Sequence, residues 1–402
     1  MASSPPDGWR TTKLGEVSDL LAGFAFKSKD FSEIHEDILL LRGDNIGQGY
    51  LRWDGARRWP AQRHSEVVRY ALAPDDVVLA MDRPWIEAGL KFARVRPSDL
   101  PALLVQRVCR LRGRPGMLDQ RYLATIIGSP AFERHVQLVT TGTAVPHISG
   151  SDVGGFPFYR PPLAEQRAIA EVLGALDDKI ESNRRTADAA RAVLMHAPPT
   201  SGEPLPLDQV ADFHNGGALT KHATGAGRPI LRIKELRAGV TAETPRTDAV
   251  VRENQTVESG DLLFSWSGTL LTTRWSGEPA VLNQHVFRVD PKPGVSRWFV
   301  EAWIERHLSS FRAIAADKAT TMGHIQRRHL SEALVALPQD AQIDALMRRY
   351  DPLDDLRMSL LREAERLVNV RDALLPRLVS GRIRVPLTEG AAEAVETVLD
   401  AA

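Results

Sequence analysis

Pro161-Pro-Leu-Ala-Glu-Gln-Arg-Ala-Ile-Ala-Glu-Val-Leu-Gly-Ala-Leu-Asp-Asp-Lys-Ile-Glu-Ser-Asn-Arg-Arg185 reads as the start of a long helix. The two prolines suit a first turn, where a missing N–H is no loss and φ is already set. Ile169, Leu173, Leu176, Ile180, Ala187, Ala190 and Leu194 then fall in a 3-4 alternation, interrupted by the polar Asn183. Leu346, Leu353, Leu360, Leu367 and Leu374 recur every seven residues later in the chain. An offset of 177 carries Ile169 onto Leu346, Leu176 onto Leu353, Asn183 onto Leu360 and Ala190 onto Leu367, so the heptad phase is duplicated. Two helices with matched seams most simply pair with each other, antiparallel if the copies are related by a two-fold. The competing arrangement has each stripe packing on its own domain, as most amphipathic helices do. Sustained leucine heptads favour pairing.

The same offset extends outward. Thr143-Ala-Val-Pro-His-Ile148 aligns with Thr320-Thr-Met-Gly-His-Ile325, Pro161 with Pro338, and Asp177-Asp178 with Asp354-Asp355. Upstream, short apolar runs broken by turn residues predict strands at Ile38–Leu41, Val77–Ala80, Leu103–Val105 and Val108–Leu111, with a helix over Leu118–Ile127. The order returns at Ile230–Ile233, Asp261–Phe264, Ala280–Leu282 and His285–Val289, with a helix near Trp298–Glu305. Asp76 pairs with Asp261 at an offset of 185 and Gln106 with Gln284 at 178, so loop lengths differ between copies. The expected fold is α/β (α+β): two similar globular domains joined by two long antiparallel coiled-coil helices, with internal pseudo-two-fold symmetry. The boundaries are residues 1–160 and 207–337 for the domains, 161–197 and 338–384 for the helices, and 198–206 for a linker containing Ala197-Pro-Pro-Thr-Ser-Gly-Glu-Pro204. Residues 385–402 form an acidic, Ala-rich tail expected to be disordered.

At 402 residues the chain exceeds one ordinary core. Fifty-one Lys and Arg balance 51 Asp and Glu, so a nucleic-acid surface must be a local basic patch rather than a global charge. The single Cys109 forms no internal disulfide, no apolar leader opens the chain, and no run of 18 apolar residues occurs; a cytoplasmic protein is expected.

Catalytic equipment is scarce. There is no G-x-x-x-x-G-K-[ST] loop, no glycine-rich strand-to-helix turn for a dinucleotide or adenosyl cofactor, and no Asn- or Asp-Pro-Pro-aromatic tetrapeptide. His324 and His329 have the wrong spacing for H-E-x-x-H, and one cysteine makes no zinc finger. Asp75-Asp76 precedes a strand and Asp177-Asp178 lies on a coiled-coil flank, where charge is ordinary. The chain reads as a binder, with no catalytic residues and no metal site.

The 161–185 segment resembles the central conserved helix of the specificity (S) subunit of type I restriction-modification enzymes. Arg371-Asp-Ala-Leu-Leu-Pro-Arg-Leu-Val-Ser-Gly-Arg-Ile383 resembles that family's distal conserved segment, and Gly142-Thr-Ala-Val-Pro-His-Ile148 the short motif closing its target-recognition domains. One departure stands out: Glu165-Gln166-Arg167 is matched by Gln342-Ile343-Asp344. The resemblance implies a non-catalytic, DNA-binding subunit of a restriction system. Each target-recognition domain would read one half of a bipartite double-stranded site, while the helices set the spacer and dock two methyltransferase (M) subunits, with motor-nuclease (R) subunits joining. It also implies that this chain binds no cofactor, with S-adenosylmethionine, ATP and Mg2+ on the partner subunits, and that no membrane is involved. A symmetric coiled-coil protein-interaction scaffold without DNA binding is the alternative. A self-sufficient methyltransferase or nuclease would need a cofactor site that the sequence does not offer.

DNA demands cations and donors for phosphate, and amide or guanidinium side chains for base edges. Lys27, Arg42, Asn45, Arg83, Lys91, Arg94, Thr141 and Thr143 are the candidates in the first domain, from predicted loops and strand ends. Lys221, Arg232, Lys234, Trp266, Arg274, Lys318, Thr320 and Thr321 are those of the second. His147 and His324 occupy equivalent sites and are read as histidines closing each domain; Gln106 and Gln284 are read as structural amides. Ile169, Leu176, Ile180, Asn183 and Ala190, with Leu346, Leu353, Leu360, Leu367 and Leu374, are the expected pairing residues.

Overall fold

The computed structural model describes residues 5–86, 89–140, 146–198, 202–241, 243–317, 323–338 and 340–386. It divides into two compact units, Met1–Asp177 with Asn369–Ala402, and Asp178–Val368, so the dividing line falls within both long helices, Leu163–His196 and Asp340–Val379.

In the first unit, Arg10–Lys13 pairs antiparallel with Pro157–Arg160, which brings the start of the globular part to its exit into the long helix. A five-stranded sheet follows the order Ser18–Ala22, Val108–Gly113, Val77–Ala80, Phe92–Arg94, Gln48–Gly49, and a three-stranded sheet the order Ala102–Leu104, Ile38–Leu41, Arg58–Trp59. Ile38–Leu41 runs parallel to Ala102–Leu104, and alternate side chains face opposite ways. Ile38, Leu40 and Leu103 enter one apolar cluster with Phe26 and Trp59; Leu41, Ala102 and Leu104 enter another with Val78 and Ala80. Burial on both faces is why these strands are unbroken apolar runs instead of alternating ones. The expected helix forms at Gln120–Ile127, started by Asp119, whose side chain accepts from the N–H groups of Arg121 and Tyr122.

The second unit repeats this plan, with four strands in each of its two larger sheets. Glu203–Pro206 pairs with Leu334–Leu337, and the main sheet runs Ala211–Asn215, Val286–Pro291, Leu262–Ser265, Leu271–Arg274. The second sheet contains the parallel pair Arg228–Leu231 and Ala280–Leu282. The offset between matched strands falls from 193 (Arg10 to Glu203) through 185 (Val77 to Leu262) to 177 (Pro157 to Leu334), so the second copy has the shorter loops. Even a tight contact is duplicated: a Cβ on Gly23 or on its match Gly216 would sit 2.2 Å from the carbonyl oxygen of Val105 or Asn283. One difference is that Arg297–Asp317 is a single helix where the first unit breaks its helix at Gly128-Ser129-Pro130.

The first long helix keeps the predicted seam. Ile169, Leu173, Leu176, Ile180, Asn183, Ala187, Ala190 and Leu194 are all buried. Asn183 is 2% exposed and its Nδ2 has no hydrogen-bond partner among the described residues, a strain on the order of 1–3 kcal/mol. In the second helix the expectation of an unbroken leucine seam is corrected. Leu374 is buried, but Leu346, Leu353, Leu360 and Leu367 are only half-buried. The buried stripe is Ile343, Met347, Asp354, Arg357, Met358, Ala364, Leu374 and Leu378. Leu346 and Leu353 lie against the apolar cluster of the second unit, which also takes up Ile343 and Met347, so this stretch packs on its own domain. The leucines flank the stripe because the helix must cover a domain as well as a partner helix.

Pairing is nevertheless present within each unit, and it is antiparallel. In the first unit Asp177 meets Arg371 at 2.9 Å, and Glu165, twelve residues earlier, meets Arg384 at 2.9 Å. In the second unit Arg184 lies 3.8 Å from Glu365. Further along, Arg191 and Arg357 share Glu301 of helix Arg297–Asp317, at 3.0 and 2.7 Å. Arg274 joins through Asp354 at 2.7 Å. Burial alone would raise the Glu301 carboxyl; the charge and hydrogen bonds of Arg357, with Arg191 and Arg274, outweigh it and hold Glu301 below the ordinary carboxylate value.

The differing helix starts have a local reason. Glu165 accepts from Trp9 Nε1 at 2.9 Å and from Arg384, tying the beginning of the chain to the segment after the distal helix. Gln166 donates to the carbonyls of Pro161 and Met117 and accepts from the Asp119 N–H. In the second copy the residue matching Trp9 is Gly202, and Ile343 enters the core instead.

Candidate nucleic-acid interface

The strand Val77–Ala80 runs out into Met81-Asp82-Arg83, and the strand Val108–Gly113 enters from a turn ending at Arg107. Met81 N–H donates to Arg107 O at 2.8 Å, Ile148 N–H to Met81 O at 2.9 Å, and Arg83 N–H to Pro146 O at 2.7 Å. These bonds gather three segments far apart in sequence at one sheet end. There the Asp82 carboxylate accepts from His147 Nδ1 at 2.7 Å and from Arg107 Nη1 at 2.6 Å. Burial acts to raise the Asp82 carboxyl, but the bonds from His147 and Arg107 prevail and hold it below its usual value. Arg83 and Arg107 both adopt positive φ, +43° and +66°, which places them on turns. Beside them Lys91 is only 8% exposed. Burial first, then the positive charges of Arg52 and Arg83, act to lower its pKa, against Asp44 and Asp82. The first unit thus has a locus of four cations, Arg52, Arg83, Lys91 and Arg107, with two carboxylates between them.

The second unit has the same backbone locus with other side chains. The bridge Ser267–His324 repeats Asp82–His147. Ile325 N–H to Trp266 O at 3.0 Å and Gly268 N–H to Gly323 O at 2.8 Å repeat the bonds of Ile148 and Arg83. Met81, Asp82, Arg107 and His147 are therefore replaced by Trp266, Ser267, His285 and His324. The Trp266 ring lies 5.8 Å from that of His285 and 6.1 Å from that of His324. Trp266 Nε1 and His285 Nδ1 are enclosed without a hydrogen-bond partner among the described residues.

Of the residues singled out from sequence, this locus brings together Arg83 and Lys91 in one unit and uses Trp266 in the other. Lys27 and Lys221 are exposed elsewhere, Lys27 just before a short 3-10 helix and Lys221 within one. Arg42 pairs with Asp44 at 3.2 Å, Arg94 with Asp75 at 3.3 Å, Arg232 with Glu235 at 2.6 Å and Lys234 with Glu243 at 3.7 Å. Asn45 and Arg274 are corrections. Asn45 is buried, accepting from Arg42 N–H and donating to Arg52 O, and Arg274 is buried between Gly260 O and Asp354. Both are committed to turns and helix packing. Thr141, Thr143, Lys318, Thr320 and Thr321 lie outside the described residues. The histidines do close each domain through the bridges above. Gln106 and Gln284 correct the reading as structural amides, because both side chains are exposed on the turn at this locus. Asp82, Arg107 and His285 were missed, although extending the two matched pairs Asp76–Asp261 and Gln106–Gln284 by a few residues aligns them.

Elsewhere, the Cys109 thiol is pushed up to about 12 by burial, which removes it as a nucleophile. Among the described residues no helix is long and apolar enough to cross a membrane.

Residues 6–189 match the family model for the type I restriction modification DNA specificity domain. The chain is 32% identical over 191 residues to the type I restriction enzyme EcoAI specificity subunit of Escherichia coli, covering 48% of this chain and 32% of that protein. It is 31% identical over 180 residues to the MjaVIII specificity subunit of Methanocaldococcus jannaschii, covering 45% and 42%. The chain thus spans less than half the length of these curated relatives. Among solved structures, the type I restriction-modification S subunit of M. genitalium matches with a TM-score of 0.55 at 15% identity, over 94% of this chain and 98% of that one. That likeness is one of fold.

Proposed function

We propose, from the match of residues 6–189 to the type I restriction modification DNA specificity domain and the likeness to curated specificity subunits, that the chain is the DNA-reading subunit of a type I restriction-modification complex. Each unit reads one half of a bipartite duplex site. The long helices hold the half-sites at a fixed spacing and offer their outer faces to methyltransferase subunits, and motor-nuclease subunits join that assembly. Chemistry then belongs to the partners, with S-adenosylmethionine on the methyltransferase subunits and ATP and Mg2+ on the motor-nuclease subunits. The observation that carries this reading is the duplicated strand-end locus, one backbone frame presenting Asp82, Arg107 and His147 in one unit and Ser267, His285 and His324 in the other. Two copies of one frame carrying different polar side chains are what reading two different half-sites requires.

The isolated chain, incubated with duplex DNA and labelled S-adenosylmethionine, is expected to transfer no methyl groups. Adding a methyltransferase subunit of the same system should produce transfer. Methylation by the purified chain alone would overturn the reading.

A further inference from the structure

We propose that Arg107 reads a guanine in the half-site of the first unit, with Asp82 as its positioning residue. The inference rests on the DNA-reading function above and names one base contact within it. A guanidinium has five donors and no acceptor, and guanine alone offers two adjacent acceptors, O6 and N7, in the major groove. Arg107 is equipped for that pairing. Its side chain is 67% exposed. Its backbone sits at φ +66° on the tight turn before the strand Val108–Gly113. One guanidinium nitrogen, Nη1, is held by Asp82 Oδ2 at 2.6 Å, while Asp82 is fixed from its other oxygen by His147 Nδ1 at 2.7 Å. The remaining N–H groups are thereby aimed outward in a set direction.

A phosphate contact explains this arrangement less well, for two reasons. Phosphate attraction depends on charge and tolerates a swinging side chain, whereas a carboxylate 2.6 Å away neutralises that charge and restricts the swing. The comparison between units is stronger. The phosphodiester backbone is the same along both half-sites, so a phosphate contact belongs in both copies. A base contact should differ between them. At this turn the preceding glutamine is kept, as Gln106 and Gln284, while Arg107 becomes His285 and Asp82 becomes Ser267. The neighbouring Arg83, exposed and without a carboxylate partner among the described contacts, is the cation suited to the backbone, whereas Lys91 is enclosed.

The test is selection from a pool of randomised duplex DNA by the full chain together with its methyltransferase subunit, followed by sequencing, for the wild type, Arg107→Lys and Asp82→Asn. Lysine keeps the charge but lacks the two-pronged donor face. The wild type should select a bipartite motif with a guanine in the first unit's half. Arg107→Lys should lower the preference for that guanine by about 10- to 100-fold and leave every other position unchanged. Asp82→Asn should weaken the preference at the same position only. If both variants select the wild-type motif, or if a further variant, Arg107→Ala, titrated at several salt concentrations on the selected site and on a guanine-substituted site, binds both equally weakly and lowers the salt slope by about one, Arg107 is a phosphate contact and the inference fails. A motif without guanine in either half also overturns it. If the wild-type complex selects no sequence, the DNA-reading function itself is wrong, a result distinct from the others.

Discussion

Glu301→Gln is expected to destabilise the second unit by about 3–5 kcal/mol. Glu301 is fully buried and receives Arg357 at 2.7 and 3.1 Å and Arg191 at 3.0 Å. Arg357 is itself 4% exposed, so a neutral amide leaves its enclosed charge only Asp354, 3.8 Å away and already paired with Arg274. The fall in melting temperature should be on the order of 10 °C. Adding Arg357→Met should recover much of the loss, because the orphaned charge is then gone and Arg191, with its side chain 32% exposed, keeps Glu305 at 2.8 Å. The effect has a pH signature. The folded Glu301 carboxyl lies below its ordinary value of 4.5, so its contribution is present above that pH and is lost as pH falls through the lowered folded value. The difference in stability between wild type and Glu301→Gln should therefore be constant near neutrality and shrink below about pH 4.5. Thermal unfolding across pH 3–8 measures it. A Glu301→Gln protein as stable as wild type at pH 7 would show that the network is not what anchors the helices to this unit.

Lengthening both long helices by one heptad should lengthen the spacer of the recognised site by about three base pairs. Seven residues preserve the apolar phase, and at about 1.5 Å per residue they add roughly 10 Å to each helix. One base pair of duplex rises about 3.4 Å. The insertions belong between Asp177 and Asp178 and between Val368 and Asn369, where the chain divides into its two units. They lie near the Asp177–Arg371 pair, so both helices grow at the same level. The rotation that accompanies three base pairs must be absorbed by twist in DNA or protein. Unchanged half-sites with a longer spacer are the expected outcome, read by sequencing methylated sites. A folded, partner-binding variant that keeps the original spacing would mean that the helices do not set it.

Much of the fold was legible because duplication leaves a trace that needs no structure: one offset relates His147 to His324 and both helix starts. The core strands were legible for a related reason, since runs such as Val77–Ala80 are buried on both faces and stay apolar throughout. The leucine heptad misled in part. Spacing shows that a helix has an apolar side, but not that Leu346 and Leu353 spend it on a domain surface while Asp354 and Arg357 turn inward. The ionic network was invisible for the same reason. Arg191, Arg274, Glu301 and Arg357 come from four separate elements, and each alone looks like a solvated charge. At the candidate interface, counting cations found Arg83 and Lys91 but admitted Arg274, because a buried arginine and an exposed one are spelled alike. Arg107 needed a different signal, the contrast between copies at a shared backbone position.

The account turns on two units reading two half-sites separately, and the most direct test is exchange of one of them. Residues 207–337 should be replaced by the matching segment of a related chain, and the sites methylated by the chimera with its methyltransferase subunit mapped across a genome. The account predicts a new sequence in one half of the site, with the other half and the spacer unchanged. Alteration of both halves, or retention of the original motif in full, would contradict it.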